Sequence, residues 1–142
     1  MLKRVLIANR GEIAIRIAKA ASALGMESVS VYAPVDALSL HTRVSDKAVE
    51  LTGKEGVSAY LDHDAVVQAA LNTHCDCVHP GYGFLSENAN FAKVLEDNNI
   101  KFIGASSELI EMMGDKIQAK KIAKEYGLPV IEGSDEGVAN VE

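Results

Sequence analysis

Three short segments of this chain combine residue types that act on ligands. The first is Asn9-Arg10-Gly11-Glu12, which joins a short apolar run to a helical pattern. A turn from strand to helix presents unpaired N–H groups and the positive end of the helix dipole, a setting that favours an anion. A dinucleotide site would need G-x-G-x-x-G at this turn. Only Gly11 is present, so that fingerprint fails. The competing reading is a well-capped helix, with Asn9 and Glu12 at the spacing of an N-cap pair and Arg10 and Arg16 at the surface.

The second segment is H-P-G-Y-G-F-L-S-E-N, residues 79–88, at the end of another apolar run. In open α/β sheets, ligands bind in crevices at the carboxyl ends of strands. Gly81 and Gly83 permit positive φ and close approach of the backbone, which makes Tyr82 project from the loop. Ser86 can cap the helix that follows. The competing reading is a tight structural turn. The third segment is Gly114-Asp115-Lys116. Gly114 ends one helix, Asp115 is placed to cap the next, and Lys116 falls in its first turn. A cation there opposes the helix dipole at a cost of about 0.3–1 kcal/mol. An anionic ligand would offset that cost. The competing reading is a solvated lysine on a polar face that continues with Lys120, Lys121 and Lys124.

Other chemistry is not supported by spacing. Cys75 and Cys77 form a C-x-C with no second pair, and read as small buried hydrophobes on one face of a strand. His41, His63 and His74 make no ligand set. No catalytic residue and no metal ligand is assigned.

These segments need a scaffold. Five short segments read as strands: the apolar run at residues 4–8, then 28–33, a weaker one at 47–51, 75–78 and 101–103. Helical spacing lies between them. Ile13, Ile17, Ala20, Ala21 and Leu24 share one face, ended by Gly25. Residues 40–44 form a short helix. Val66, Val67, Ala70 and Leu71 mark another, and Phe91, Ala92 and Leu95 another. Two more carry Leu109, Ile110 and Met113, then Ala119, Ile122, Ala123 and Tyr126. Strands alternating with helices predict an α/β fold, a Rossmann-like open parallel sheet of about five strands with helices on both faces. Residues 128–131 look like the first strand of something else, and residues 128–142 read as a linker or stub.

Bulk properties narrow the function classes. The 142 residues suit one domain, 48% hydrophobic and 24% charged. With 14 basic against 20 acidic residues, the net charge is −6. That argues against a nucleic-acid partner. No apolar run approaches a membrane span, and the amino end does not read as a signal peptide. Two cysteines fit a reducing compartment, the cytoplasm or an organelle matrix.

The same segments resemble one family in order and spacing. R-V-L-I-A-N-R-G-E-I-A-I-R-I (residues 4–17), H-P-G-Y-G-F-L-S-E-N (79–88), F-I-G-A-S (102–106), M-G-D-K (113–116) and G-L-P-V (127–130) are similar to blocks of biotin carboxylases, and they span the chain. Carbamoyl-phosphate synthetase large chains and other ATP-grasp ligases share the architecture but not this combination. The resemblance implies a ligase that takes ATP, Mg2+ and bicarbonate, passes through a carboxyphosphate-type intermediate, and carboxylates biotin on a carrier protein or domain. Such enzymes serve acetyl-CoA (fatty acid biosynthesis), propionyl-CoA, methylcrotonyl-CoA, urea or pyruvate carboxylases.

Residue by residue, Lys116 matches a family lysine on the ATP phosphates. His79, Tyr82, Gly83 and Glu87 match the wall of the biotin and bicarbonate pocket, with a shaping role rather than proton transfer. The division implied is a Rossmann-like pre-ATP-grasp domain over residues 1–114, then a helix and stub (115–142) leading into an ATP-grasp domain. The family's phosphate lid, metal carboxylates, bicarbonate arginine and catalytic base would lie beyond residue 142. The isolated chain is therefore expected to be inactive and to hold no cofactor tightly. Expected partners are its own ATP-grasp and C-terminal domains, the biotin carboxyl carrier and the carboxyltransferase. Members often dimerise partly through the first helix; Lys19 and Ala23 stand where many relatives carry an opposite-charge pair. Two rival readings are a free-standing nucleotide-binding module and a purely structural domain.

Overall fold

In the computed structural model, which describes residues 2–131, the first apolar run becomes strand β1 (Arg4–Ile7), central in a five-stranded sheet. It pairs in parallel with β2 (Glu27–Tyr32) on one edge and β4 (Cys77–His79) on the other. β3 (Lys47–Glu50) lies beyond β2, and β5 (Lys101–Phe102) beyond β4, also parallel. The order is β3-β2-β1-β4-β5. Leu6 stands opposite both Val29 and Val78. Both faces of β1 are covered, which is why Val5, Leu6 and Ile7 run without a polar break.

Alternation sorts the strand residues between two layers. Leu6, Val29, Val31, Val78 and Phe102 enter the larger core, under α3 (His63–Asn72) and α4 (Ala89–Asp97). Phe91 meets Phe102 edge-on, with ring centroids 6.1 Å apart. Val5, Ile7 and Cys77 face α1 (Gly11–Ala23), which buries Ile13, Ala14, Ile17, Ala18 and Ala21. The small Ala14 and Ala18 let the helix lie close to the sheet. α2 (Leu40–Val44) packs beside α1 over β2 and β3. The β2 residues beneath it are polar: Ser28 Oγ donates to Asp46 Oδ2 at 2.8 Å, and Ser30 shares a hydrogen bond with Ser45. The expected α/β class, parallel sheet and two-sided helices are all present.

α5 (Ser107–Gly114) packs on α4, and Ser107 Oγ donates to Glu96 Oε2 at 2.9 Å. α6 (Lys116–Glu125) packs on α5 and buries none of its residues. Asp115 caps α6 as expected, its Oδ1 accepting from Ile117 N and Gln118 N at 2.8 and 3.0 Å.

Four local expectations are corrected. α4 is capped by Asn88, which accepts from Phe91 N at 2.8 Å, rather than by Ser86. Cys75 precedes β4: His74 adopts φ 53°, and the Cys75 amide closes the end of α3 on Ala70 O. Cys75 therefore packs in the larger core, while Cys77 packs against Val5 and Ala21 on the opposite face. The buried stripe of α1 leaves out Ala20 and Leu24. They border an open apolar groove of about 480 Å³ with Val5, Met26, His79 and Ile103, because among the described residues no further helix covers the sheet on that side of α1. Residues 128–131 hold no regular structure, and the rest of the expected stub lies outside the described residues.

Candidate functional site

The chain steps outward from β1 to β2 and β3, then crosses back to β4 and β5. The connections leaving β1 and β4 thus diverge to opposite faces of the sheet, toward α1 and α4. Between their carboxyl ends a crevice opens, as it does at such a switch in open α/β sheets. Asn9, Arg10, Gly11 and Glu12 line one side, Tyr82, Gly83 and Phe84 the other, with Ser39 at the rim, around about 430 Å³. The first two candidate segments therefore meet in one place.

Asn9 makes the junction. It is buried, and it does not cap α1; Arg10 precedes the helix without a side-chain cap. Asn9 Nδ2 instead donates to Pro80 O at 2.7 Å and Tyr82 O at 2.9 Å, and Oδ1 accepts from Arg10 N at 2.9 Å. Tyr82 projects from the loop, 60% exposed, and its hydroxyl donates to Glu12 Oε1 at 2.8 Å. That carboxylate raises the phenol's pKa. Gly81 and Gly83 both take positive φ, 67° and 65°, as the turn requires.

A second network braces the crevice from below. Arg10 Nη2 and Asp36 Oδ1 are 2.7 Å apart. Tyr60 donates to Asp36 Oδ2 at 2.7 Å and accepts from Ala33 N at 3.1 Å. The Tyr60 ring stacks on Phe84 at 5.4 Å, and the Arg10 guanidinium lies 5.7 Å from its centroid. Burial pushes the Asp36 carboxyl up, but the Tyr60, Arg10 and Ser39 donors outweigh it, and the pKa falls below the ordinary 3.8. Burial drives the Tyr60 phenol strongly upward, so it stays a donor. Sequence reading missed this network and singled out neither Asp36 nor Tyr60. The one signal was an acid and a tyrosine near apolar runs; their convergence on Arg10 is long-range.

His79 ends β4, half-buried, with its ring in the apolar groove beside α1 rather than in the crevice. Its Nδ1 accepts from Gly81 N at 3.0 Å, which puts the proton on Nε2, and burial lowers its pKa. Glu87 is exposed on the loop before α4. Lys116 is exposed at the first position of α6; among the described residues it does not line the crevice, and α6 reaches the loop through α5 and α4. No three His, Cys, Asp or Glu residues come together as a metal site among the described residues. No described helix is long and apolar enough to cross a membrane.

Comparison with known proteins gives this geometry a family. The family model described as biotin carboxylase, N-terminal domain, matches residues 1–110. Biotin carboxylase 1 of Bacillus subtilis (strain 168) is 44% identical over 142 residues, which is 100% of this chain and 32% of that protein. The biotin carboxylase domain of a single-chain bacterial carboxylase superposes with a TM-score of 0.90 at 51% identity, covering 93% of this chain and 31% of that one. The biotin carboxylase domain dimer of the 2-oxoglutarate carboxylase from Hydrogenobacter thermophilus, in complex with MgADP, ADP and bicarbonate, gives 0.91 at 41% identity, covering 95% and 30%. The chain spans about a third of the length of these relatives. By sequence over most of its length and by backbone over nearly all of it, the chain belongs to the biotin carboxylase family and corresponds to that family's N-terminal domain.

Proposed function

We propose that the chain is the N-terminal part of an ATP-dependent biotin carboxylase, which uses bicarbonate to carboxylate biotin on a carrier protein or domain. The family match over residues 1–110 carries the reading. The division follows: residues 1–114 form the Rossmann-like domain, and 115–142 lead into an ATP-grasp domain. The absence of any buried residue in α6, and the exposure of Leu109, Met113, Tyr126, Leu128 and Ile131 around it, support a further domain packing there. Partners are that domain, a C-terminal domain, the biotin carrier and a carboxyltransferase; a homodimer is part of the reading. The compartment is the cytoplasm or mitochondrial matrix.

Within the assembled site, Tyr82 and Gly83, with His79 and Glu87 behind and beside them, form one wall of the biotin and bicarbonate pocket. The bicarbonate present in the Hydrogenobacter relative supports bicarbonate as a substrate of the assembled enzyme; the residue assignment rests on the resemblance of residues 79–88. Lys116 contacts the ATP phosphates. Its exposure at the start of α6 is compatible with that role; Asp115 already satisfies two amides of the turn and offsets the unfavourable dipole, so the role rests on the resemblance of M-G-D-K to the family's block. ATP supplies the phosphoryl group that activates bicarbonate. The protein groups here orient and exclude water; they move no proton. No three His, Cys, Asp or Glu residues gather among the described residues as a metal site, so Mg2+ would be held by groups elsewhere in the assembled enzyme.

The test is a chimera in which this chain replaces the matching part of Bacillus subtilis biotin carboxylase 1. Bicarbonate-dependent ATP turnover with free biotin is expected from the chimera and not from the 142-residue chain alone. A folded but inactive chimera, or equal turnover by the chain alone, overturns the reading. Tight NAD binding by the chain alone would favour a free-standing nucleotide-binding module.

A further inference from the structure

We propose that Asn9 is the positioning residue for the Tyr82–Gly83 wall: its carboxamide sets the backbone of the turn at residues 80–83. The inference rests on the proposed function and adds a residue to it. The β1–β4 ladder ends where Ala8 N donates to His79 O at 2.9 Å. One residue later the Asn9 side chain takes over from the backbone, donating to Pro80 O and Tyr82 O. Its orientation is unambiguous. Arg10 N supplies a donor to Oδ1, and reversing the amide would set an oxygen against two carbonyl oxygens and an NH2 against an N–H.

Peptide planarity converts these two bonds into a direction for the loop. With Pro80 O held inward, the Gly81 N–H of the same peptide must point the other way, and it donates to His79 Nδ1 at 3.0 Å. With Tyr82 O held inward, the Gly83 N–H of the same peptide likewise turns away from Asn9. The two glycines supply the positive φ that this zigzag needs. Gly81 is also locked to Asn9 by space: a Cβ there would lie 2.7 Å from Asn9 Nδ2 and 3.1 Å from Cγ. Asn9 thus fixes which face of the Gly83 peptide, and which side of Tyr82, meets a substrate.

The chimera described above tests this. Asn9→Asp keeps the shape but replaces the donor with an acceptor facing two carbonyls. The expected result is a KM for free biotin raised about ten- to a hundredfold, with the KM for ATP within twofold of the parent. Asn9→Ala is the second variant, and Gly81→Ala is made alone and in its background. The alanine at 81 should raise the biotin KM less when Asn9 is already absent, because only its backbone strain remains. A purely structural role would instead lower the melting temperature and kcat, leaving the two KM values in their original ratio. Folded Asn9→Asp or Asn9→Ala chimeras with an unchanged biotin KM overturn the inference. An inactive parent chimera overturns the functional reading instead.

Discussion

The Tyr82 hydroxyl donates to Glu12 Oε1 at 2.8 Å, joining the loop after β4 to the first turn of α1 across the mouth of the crevice. Both groups are exposed, so the bond guides the loop rather than stabilising the fold. Tyr82→Phe should leave the melting temperature unchanged and speed amide hydrogen exchange at residues 82–84. Unchanged exchange would mean that the Asn9 contacts alone hold the loop.

Asp36 behaves differently because it is buried and accepts from three side chains. Asp36→Asn removes the charge that Arg10 pairs with and leaves Tyr60 or Arg10 poorly matched. Chemical denaturation should show a loss of about 1–3 kcal/mol. The carboxyl is held below its ordinary pKa, so this stability is present above about pH 4 and is lost as pH falls through the lower folded value. The acid limb of the wild-type stability curve should therefore be steeper than that of the variant.

Two imidazoles add a second pH effect. Burial lowers the pKa of both His41 and His79 below the ordinary 6.5. Above that value they are neutral in both states. As pH falls below it, the unfolded chain takes up protons that the folded chain refuses, so stability declines until the folded values are reached. Melting temperature should drop between pH 7.5 and 5.5, and both imidazoles should titrate below 6.5 by NMR. Titration at or above 6.5 would contradict the burial argument.

The thiols offer a test of the sheet. Burial pushes Cys77 up to about 11 and raises Cys75 as well. Neither should react with a disulfide reagent at pH 8 while the chain is folded, and both should react in denaturant. Rapid native labelling of Cys77 would mean that α1 does not cover β4.

The parallel sheet was legible because short strand-like segments alternate with helical ones, and Val5, Leu6 and Ile7 show the unbroken apolar run of a strand covered on both faces; Ser28 and Ser30 of β2 do not, because their hydroxyls bond Asp46 and Ser45 beneath α2. The glycine-flanked Tyr82 was legible for a similar reason, since positive φ leaves a mark in composition. The role of Asn9 was not. An asparagine three residues before a glutamate at a helix start fits an N-cap, and nothing nearby reveals that Pro80 and Tyr82 draw its amide away. The same holds for Asp36 and Tyr60, whose partners lie 26 and 24 residues distant. The helical period of α1 gave a stripe, but which residues it buries depends on how far the sheet extends beneath. That left Leu24 in the open where a buried position was expected.

The central place of the first strand bears on synthesis at the ribosome. Of the five strands β1 emerges before the others and meets β2 early, yet its other edge pairs with β4, about seventy residues later. At about 5–20 residues per second, that edge is bare for several seconds. During this interval the nascent chain exposes an unpaired, largely apolar strand border, the kind of surface that chaperones cover and aggregates exploit.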